Sequence, residues 1–102
     1  MSYFPISSPE YPEMRTENYY CEYYLAVHSE ERVQLSFTEF ALIEGDYIKL
    51  YDGLSSDRPF KVLDRETPRD VFTTVNTNSI RMVFQTGTGR GTRQWQALFE
   101  GV

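Results

Sequence analysis

The chain has 102 residues and one cysteine, which is the size of a single domain with one continuous core. Aliphatic and aromatic residues make up 40% of it, with eight Tyr and seven Phe, a composition that favours β-structure and argues against disorder. The net charge of −5, with the basic residues scattered singly, argues against nucleic-acid binding, and no apolar run approaches the roughly 18 residues of a membrane span.

The first predicted strand surrounds the cysteine. Cys21, Tyr23, Leu25 and Val27 alternate with more polar residues, the period-2 pattern of a strand with one apolar face. Ahead of it, residues 8–12 contain two prolines, which disfavour a helix and predict an extended edge segment.

The next predicted strand contains a break in its pattern. Val33, Leu35 and Phe37 alternate regularly, and then Phe40 and Leu42 continue the apolar series with the opposite phase. A strand that changes phase in this way has one extra residue on its length, so a β-bulge is predicted between Phe37 and Phe40.

Residues 46–53 form the clearest strand and turn. Ile48 and Leu50 alternate with Tyr47, Lys49 and Tyr51. The dipeptide at positions 52 and 53, Asp-Gly, ends the strand in a tight turn because glycine adopts a positive φ without strain.

The rest of the chain continues as short strands without a helical period. The predicted segments are a brief strand at Phe60 and Val62, a β-prone stretch at 71–75, a core strand through Ile80, Met82 and Phe84, a glycine-rich loop at 86–93, and a final strand through Trp95, Ala97 and Phe99. About eight strands with frequent turns predict an all-β fold, an antiparallel β-sandwich of jelly-roll type, with residues 1–102 as one domain.

Catalytic patterns are weak in this sequence. His28 is the single histidine and lies at a strand end among polar residues, which favours a solvated turn histidine over a nucleophilic site. Gly87, Gly89 and Gly91 resemble a phosphate loop, but no Gly-Lys-Ser/Thr follows them. We therefore expect no enzymatic activity.

Two acids, Glu44 and Asp46, precede the strand at 46–53. They lack the opposed geometry that glycosidic chemistry requires, so ligands for a hard cation are the better functional interpretation, and two solvated acids are the simplest one. Cys21 has no partner for a disulfide within this chain, which leaves a buried thiol, a reactive thiol or a partner outside the segment.

Six motifs in order resemble the CUB domain over nearly the whole chain. They are Ser8-Pro9-Glu10-Tyr11-Pro12, Cys21-x-Tyr23-x-Leu25, Leu35-x-Phe37-x-x-Phe40-x-Leu42, Asp46-Tyr47-Ile48-x-Leu50-Tyr51-Asp52-Gly53, Asn78-Ser79-Ile80-x-Met82-x-Phe84 and Trp95-x-Ala97-x-Phe99. The resemblance implies a jelly-roll β-sandwich used as a non-catalytic, extracellular or cell-surface binding module in complement proteases, astacin-type metalloproteases, neuropilins and spermadhesins.

The cysteine pattern departs from that family, whose members typically have four cysteines in two disulfides. Cys21 matches the second cysteine, and its family partner would lie ahead of residues 8–12. The third and fourth are missing together, with Leu63-Asp64 standing where the Cys-Gly of the fourth is expected.

The calcium positions of the family are also incomplete. The resemblance aligns Tyr3 and Asp46 with two ligand positions, while Ile43 occupies the glutamate position with Glu44 one residue late, and Gly87 replaces the last aspartate. Ca²⁺ takes 6–8 oxygen ligands. We therefore expect no cofactor, with Tyr3, Glu44 and Asp46 as the candidate ligands if Ca²⁺ binds.

The resemblance predicts a protein partner that brings a lysine or another charged group, and a glycan is an alternative. The predicted binding surface is one end of the sandwich, where five side chains would converge: Tyr3, Glu44, Asp46, Arg90 and Arg93. Arg90 and Arg93 are also predicted to pair with Glu44 and Asp46. The alternative functions are a substrate-positioning domain of a secreted protease and a glycan binder resembling spermadhesins.

Overall fold

The computed structural model describes residues 3–11 and 19–102. Within them the chain forms eight strands: β1 (Phe4–Ser7), β2 (Tyr20–Ala26), β3 (Val33–Ala41), β4 (Tyr47–Asp52), β5 (Lys61–Leu63), β6 (Phe72–Thr73), β7 (Ser79–Gln85) and β8 (Gln94–Gly101). The described residues contain no helix.

The strands form two four-stranded antiparallel sheets that pack face to face. One sheet has the order β1-β8-β3-β6 and the other β2-β7-β4-β5. The predicted all-β antiparallel sandwich is therefore confirmed, and the strands at 20–26, 33–41, 47–52, 79–85 and 94–101 lie where the alternating patterns placed them.

The core lies between the sheets and is centred on Trp95. This indole is fully buried and makes edge-to-face contacts with Tyr23, Phe37 and Phe84, at centroid distances of 5.3, 6.0 and 5.8 Å. Tyr23 and Phe84 come from one sheet and Phe37 from the other, so a single side chain joins the two layers. Aromatic pairs of this kind add roughly 0.5–1.5 kcal/mol each beyond the apolar area they bury.

The predicted bulge in β3 is confirmed. Phe37 pairs with Ala97 and Glu39 pairs with Gln96, so Thr38 is the extra residue. Its hydroxyl donates to the backbone carbonyl of Gln96 at 3.2 Å. The bulge reverses the phase of the strand, which is why the apolar positions change parity between Phe37 and Phe40.

The expected edge segment at residues 8–12 is corrected by the structure. The edge strand lies earlier, at β1, and the chain then turns, with the N–H of Tyr11 donating to the carbonyl of Ser8 at 3.2 Å. Ser8 is buried because it pairs with Trp95 through both its backbone and its hydroxyl. Pro12 lies outside the described residues.

Candidate binding surfaces

Asp46 lies in the tight turn that leads into β4, and the residue is 2% exposed. Its carboxylate organises the surrounding loops by accepting hydrogen bonds. The N–H of Gly87 donates to Oδ1 at 2.8 Å, and the N–H of Ile43 donates to Oδ2 at 3.1 Å. The aspartate thus joins the β3–β4 turn to the loop that follows β7.

Arg93 supplies the charge that balances this carboxylate. Its Nε lies 2.7 Å from Oδ2 of Asp46, and both side chains are fully removed from solvent. The guanidinium also donates through a terminal nitrogen to the carbonyl of Gly89 at 2.7 Å. We call the cluster formed by residues 43–46, 87–90 and Arg93 the loop end.

The loop end is packed closely at two glycines. A Cβ placed on Gly87 would lie 2.8 Å from the carbonyl carbon and oxygen of Gly45, which is shorter than real contacts allow. Gly45 itself has a φ of 92°, the left-handed region that favours glycine. Neither position therefore accommodates an ordinary side chain without a shift of the backbone.

Tyr3 does not join the loop end, so the predicted convergence of five residues is wrong in this respect. Tyr3 immediately precedes β1 and lies beside Glu100, which raises the pKa of the tyrosine through a side-chain hydrogen bond. Arg93 immediately precedes β8 and Glu100 lies near its other end, and seven residues of extended chain span roughly 23 Å. The antiparallel β1–β8 register fixes this separation.

Of the other four residues of the predicted binding surface, two are buried and two are exposed. Asp46 and Arg93 form the ion pair described above and are buried, so neither presents a charge to a partner. Glu44 and Arg90 are exposed at the loop end and stay predicted partner contacts.

A second surface is rich in tyrosine and covers the outer side of the β2-β7-β4 sheet. Its residues alternate with the core positions of the same strands and therefore point away from the core, although two of them, Val83 and Tyr51, are themselves buried on this side of the sheet. We call it the tyrosine face, and its cross-strand rows are Tyr20–Gln85–Tyr47, Glu22–Val83–Lys49 and Tyr24–Arg81–Tyr51.

Arg81 is the centre of the tyrosine face. Its guanidinium carbon lies 3.9 Å from the centroid of the Tyr51 ring, and its nitrogens reach Glu22 at 3.0 Å and the carbonyl of Ser56 at 2.9 Å. Lys49 similarly lies 4.9 Å above the ring of Tyr47. The cations of this face are thus held over rings or beside an acid, and the surface is ordered and nearly balanced in charge.

The most exposed rings of this surface belong to β2. Tyr20 and Tyr24 are 59% and 61% exposed, although they stand on a regular seven-residue strand. Tyrosine and arginine are the residue types that contribute most to protein interfaces. In the sequence, these exposed rings are the tyrosines that alternate with Cys21, Tyr23 and Leu25. That alternation alone did not distinguish a covered sheet face from an open one.

The donor set of the loop end does not fit a calcium ion. Both oxygens of Asp46 already accept N–H groups, and Gly87 has no side chain where the resemblance places an aspartate. Among residues 3–11 and 19–102, no group of three or more His, Cys, Asp or Glu is arranged to hold a metal ion.

Cys21 is a free, half-buried thiol on the inner side of β2. Burial raises its pKa, and a hydrogen bond with Tyr23 opposes that effect. A thiol with a raised pKa is a poor nucleophile at neutral pH, which agrees with a structural position.

An antiparallel β-sandwich with an aromatic, charge-balanced outer face has the make-up of a binding module. Comparison with known proteins identifies which one: the family model described as the CUB domain matches residues 2–99. The chain belongs to the CUB domain family. Its members are generally non-catalytic modules of extracellular and cell-surface proteins, and this chain is placed in that class.

Curated relatives support the assignment. The chain is 36% identical to cubilin of Canis lupus familiaris over 95% of its length and 36% identical to cubilin of Homo sapiens over 92%. It is 28% identical to the dorsal-ventral patterning protein tolloid of Drosophila melanogaster over 96%. The chain spans 3% of either cubilin and 10% of tolloid.

Solved structures share the fold. The CUB1-EGF-CUB2 domain of human MASP-1/3 matches 98% of this chain and 42% of its own, with a TM-score of 0.83 and 21% identity. The MASP-1 CUB2 domain bound to Ca²⁺ matches 96% of this chain and 91% of its own, with a TM-score of 0.74 and 23% identity. Across the described parts of the present chain, no helix has the length and apolar character needed to cross a membrane.

Proposed function

We propose that this chain is a non-catalytic, extracellular protein-interaction module, one domain of a larger secreted or membrane-anchored protein, and that the tyrosine face is its binding surface. The observation that carries the proposal is the exposure of Tyr20 and Tyr24, 59% and 61%, on a rigid strand. Rigid tyrosines give a large contact area at a low cost in side-chain entropy.

The charges of the face suggest the kind of partner. Arg81 is matched by Glu22, and Lys49 lies over the ring of Tyr47. A face without a strong net charge is complementary to a protein surface that is polar and nearly neutral, and it does not favour a highly basic or acidic partner. We do not propose that Asp46 receives a partner's lysine at the loop end, because its carboxylate is buried against Arg93.

A binding screen tests the proposal. The domain, displayed as a dimer, is passed over an array of purified extracellular protein domains and over a glycan array. We expect a protein ligand, with an affinity that falls at least tenfold when Tyr20 and Tyr24 are both replaced by alanine. Tyr3→Ala is the matched control, because Tyr3 is 57% exposed but lies on the other sheet.

A third variant distinguishes the two surfaces. Glu44→Ala combined with Arg90→Ala removes the exposed charges of the loop end. If this variant loses binding while the double tyrosine variant keeps it, the loop end is the binding surface and the assignment of the tyrosine face is wrong. Binding on the glycan array alone supports the glycan alternative.

The second candidate function is that of a domain that positions substrate for a secreted protease in the same protein. The similarity to tolloid, over 96% of this chain, is the observation in its favour. The full-length sequence separates this candidate from the first, because it requires a protease domain in the same polypeptide.

A further inference from the structure

The loop end contains a buried negative charge and the positive charge that balances it. A carboxylate with no solvent exposure, such as that of Asp46, is costly to bury unless a cation compensates for its lost hydration. In this chain the compensating group is the guanidinium of Arg93, which lies 2.7 Å from Oδ2 and has no solvent exposure.

The guanidinium also connects three segments. It donates to Asp46, in the turn before β4, and to the carbonyl of Gly89, in the loop after β7. Arg93 itself immediately precedes β8. Asp46 adds the N–H groups of Ile43 and Gly87 to the same network. One ion pair therefore holds together loops that are separated by about forty residues in sequence.

The space that a metal site would need is filled by the backbone. Gly45 and Gly87 approach so closely that a Cβ on Gly87 would overlap the carbonyl of Gly45. No carboxylate can stand at position 87 in this conformation, and the N–H of that residue donates to Oδ1 of Asp46.

We propose that Arg93 is the resident cation of the loop end, so that this CUB domain orders its loops without calcium. A guanidinium stays charged throughout the physiological range and is attached covalently, unlike a metal ion, which dissociates when its free concentration falls. The loop end is then equally ordered in calcium-rich and calcium-depleted surroundings. This inference does not depend on which surface binds the partner.

Calcium titration of the unmodified chain is the first test. A ligand that binds the folded state must raise the melting temperature. Since we propose that calcium does not bind, we expect the melting temperature to change by less than about 1 °C between excess chelator and millimolar CaCl₂. In ¹H–¹⁵N spectra, the amide resonances of Ile43 and Gly87 should stay in place over the same range. A rise of several degrees, or a saturable movement of those two resonances, would overturn the proposal.

Substitution of the arginine is the second test. Arg93→Met leaves the carboxylate of Asp46 buried without its cation, and we expect the melting temperature to fall by about 10 °C or more. Arg90→Met, in the same loop but exposed, is the matched control, with an expected change below about 2 °C. Equal effects of the two substitutions would contradict the assigned role.

A third variant covers the case in which Arg93→Met does not fold. Arg93→Lys keeps the positive charge but loses the forked donors, so we expect a folded protein with an intermediate melting temperature and an unchanged insensitivity to calcium. If Arg93→Lys is no more stable than Arg93→Met, or does not fold either, packing and not charge is the contribution of Arg93, and the proposal fails.

Discussion

Arg81 lies over the ring of Tyr51, with its guanidinium carbon 3.9 Å from the ring centroid. The two residues face each other across the β4–β7 pairing, on the outer side of the sheet. Tyr51 is buried, with 9% of its surface exposed, although it stands on the outer side of the sheet.

Replacing Arg81 with methionine tests this contact. The substitution keeps much of the side-chain volume but removes the cation–π contact, the ion pair with Glu22 and the bond to the Ser56 carbonyl. We expect the free energy of unfolding, measured by urea denaturation, to fall by about 1–2 kcal/mol. Glu22→Gln, which removes only the ion pair, should cost less than about 1 kcal/mol, and equal losses in the two variants would contradict a role for the ring.

Asp52, the last residue of β4, supports a second prediction. Its carboxylate accepts hydrogen bonds from the N–H groups of Val75, Asn76 and Thr77, at 2.8, 3.0 and 3.1 Å, and from the Thr77 hydroxyl at 2.7 Å. Asp52→Ala should lower the free energy of unfolding by about 1–3 kcal/mol. The exposed Asp57→Ala should change it by no more than about 0.5 kcal/mol.

The same contacts predict a dependence on pH. Burial alone would raise the pKa of Asp52, but the hydrogen bonds from residues 75–77 outweigh it and hold the pKa below its usual value. A carboxylate with a lowered pKa in the folded state stabilises the fold above its unfolded pKa of about 3.9, and that stabilisation is lost as the pH falls through the folded value. Stability measured below about pH 4 should therefore fall less steeply in Asp52→Ala than in the unmodified chain.

The raised pKa of Tyr23 predicts a loss of stability at alkaline pH. Burial in the core raises its pKa well above the usual value, and the nearby Cys21 adds to the effect. A group with a raised folded pKa stabilises the fold below its unfolded value of about 10, and the stabilisation is lost as the pH rises further. The free energy of unfolding should therefore decline above about pH 10, and less steeply in Tyr23→Phe.

The control for Tyr23 is on the same strand. Tyr24→Phe removes the hydroxyl of a ring that is exposed on the other side of β2, and it is the control variant. Tyr23→Phe should also cost about 1 kcal/mol at neutral pH, because the hydroxyl donates to the carbonyl of Ser7 at 3.1 Å. Identical alkaline slopes in the two variants would contradict the role assigned to Tyr23.

The glycines of the loop end give a prediction about packing. Gly87→Ala places a methyl group 2.8 Å from the carbonyl of Gly45, so the backbone must move, at a cost of about 1–3 kcal/mol. Gly89→Ala meets the flexible tip of Ile43 at 3.3 Å and should cost less. Urea denaturation of both variants checks the order, and a Gly89→Ala variant that is less stable than Gly87→Ala would contradict it.

The sequence predicted the sheets well because alternation reports directly on a two-sided sandwich. The change of phase between Phe37 and Phe40 also predicted a bulge in that interval, because an inserted residue must reverse the parity of the core positions, and the structure places it at Thr38. β1 was missed since its four residues include Pro5 and two half-buried positions, which give no clear period.

The pairing of Arg93 with Asp46 was among the predictions, but the burial of this pair and the position of Tyr3 were harder to predict, for two physical reasons. An arginine in a glycine-rich loop is ordinarily solvated, and the full burial of Arg93 depends on a carboxylate that is forty-seven residues away in sequence. The position of Tyr3 depends on the register of β1 against β8, a pairing between the two ends of the chain that no local pattern reports.

The order of strands within the sheets has a consequence for the synthesis of this domain. None of the first four strands is a neighbour of another: β8 separates β1 from β3, and β7 separates β2 from β4. Before residues 79–101 have emerged from the ribosome, β1 and β2 therefore have no partner strand, and β3 and β4 can pair only with the short strands β6 and β5. We expect folding to be a late, single event, in which the last two strands insert between strands that were made long before them.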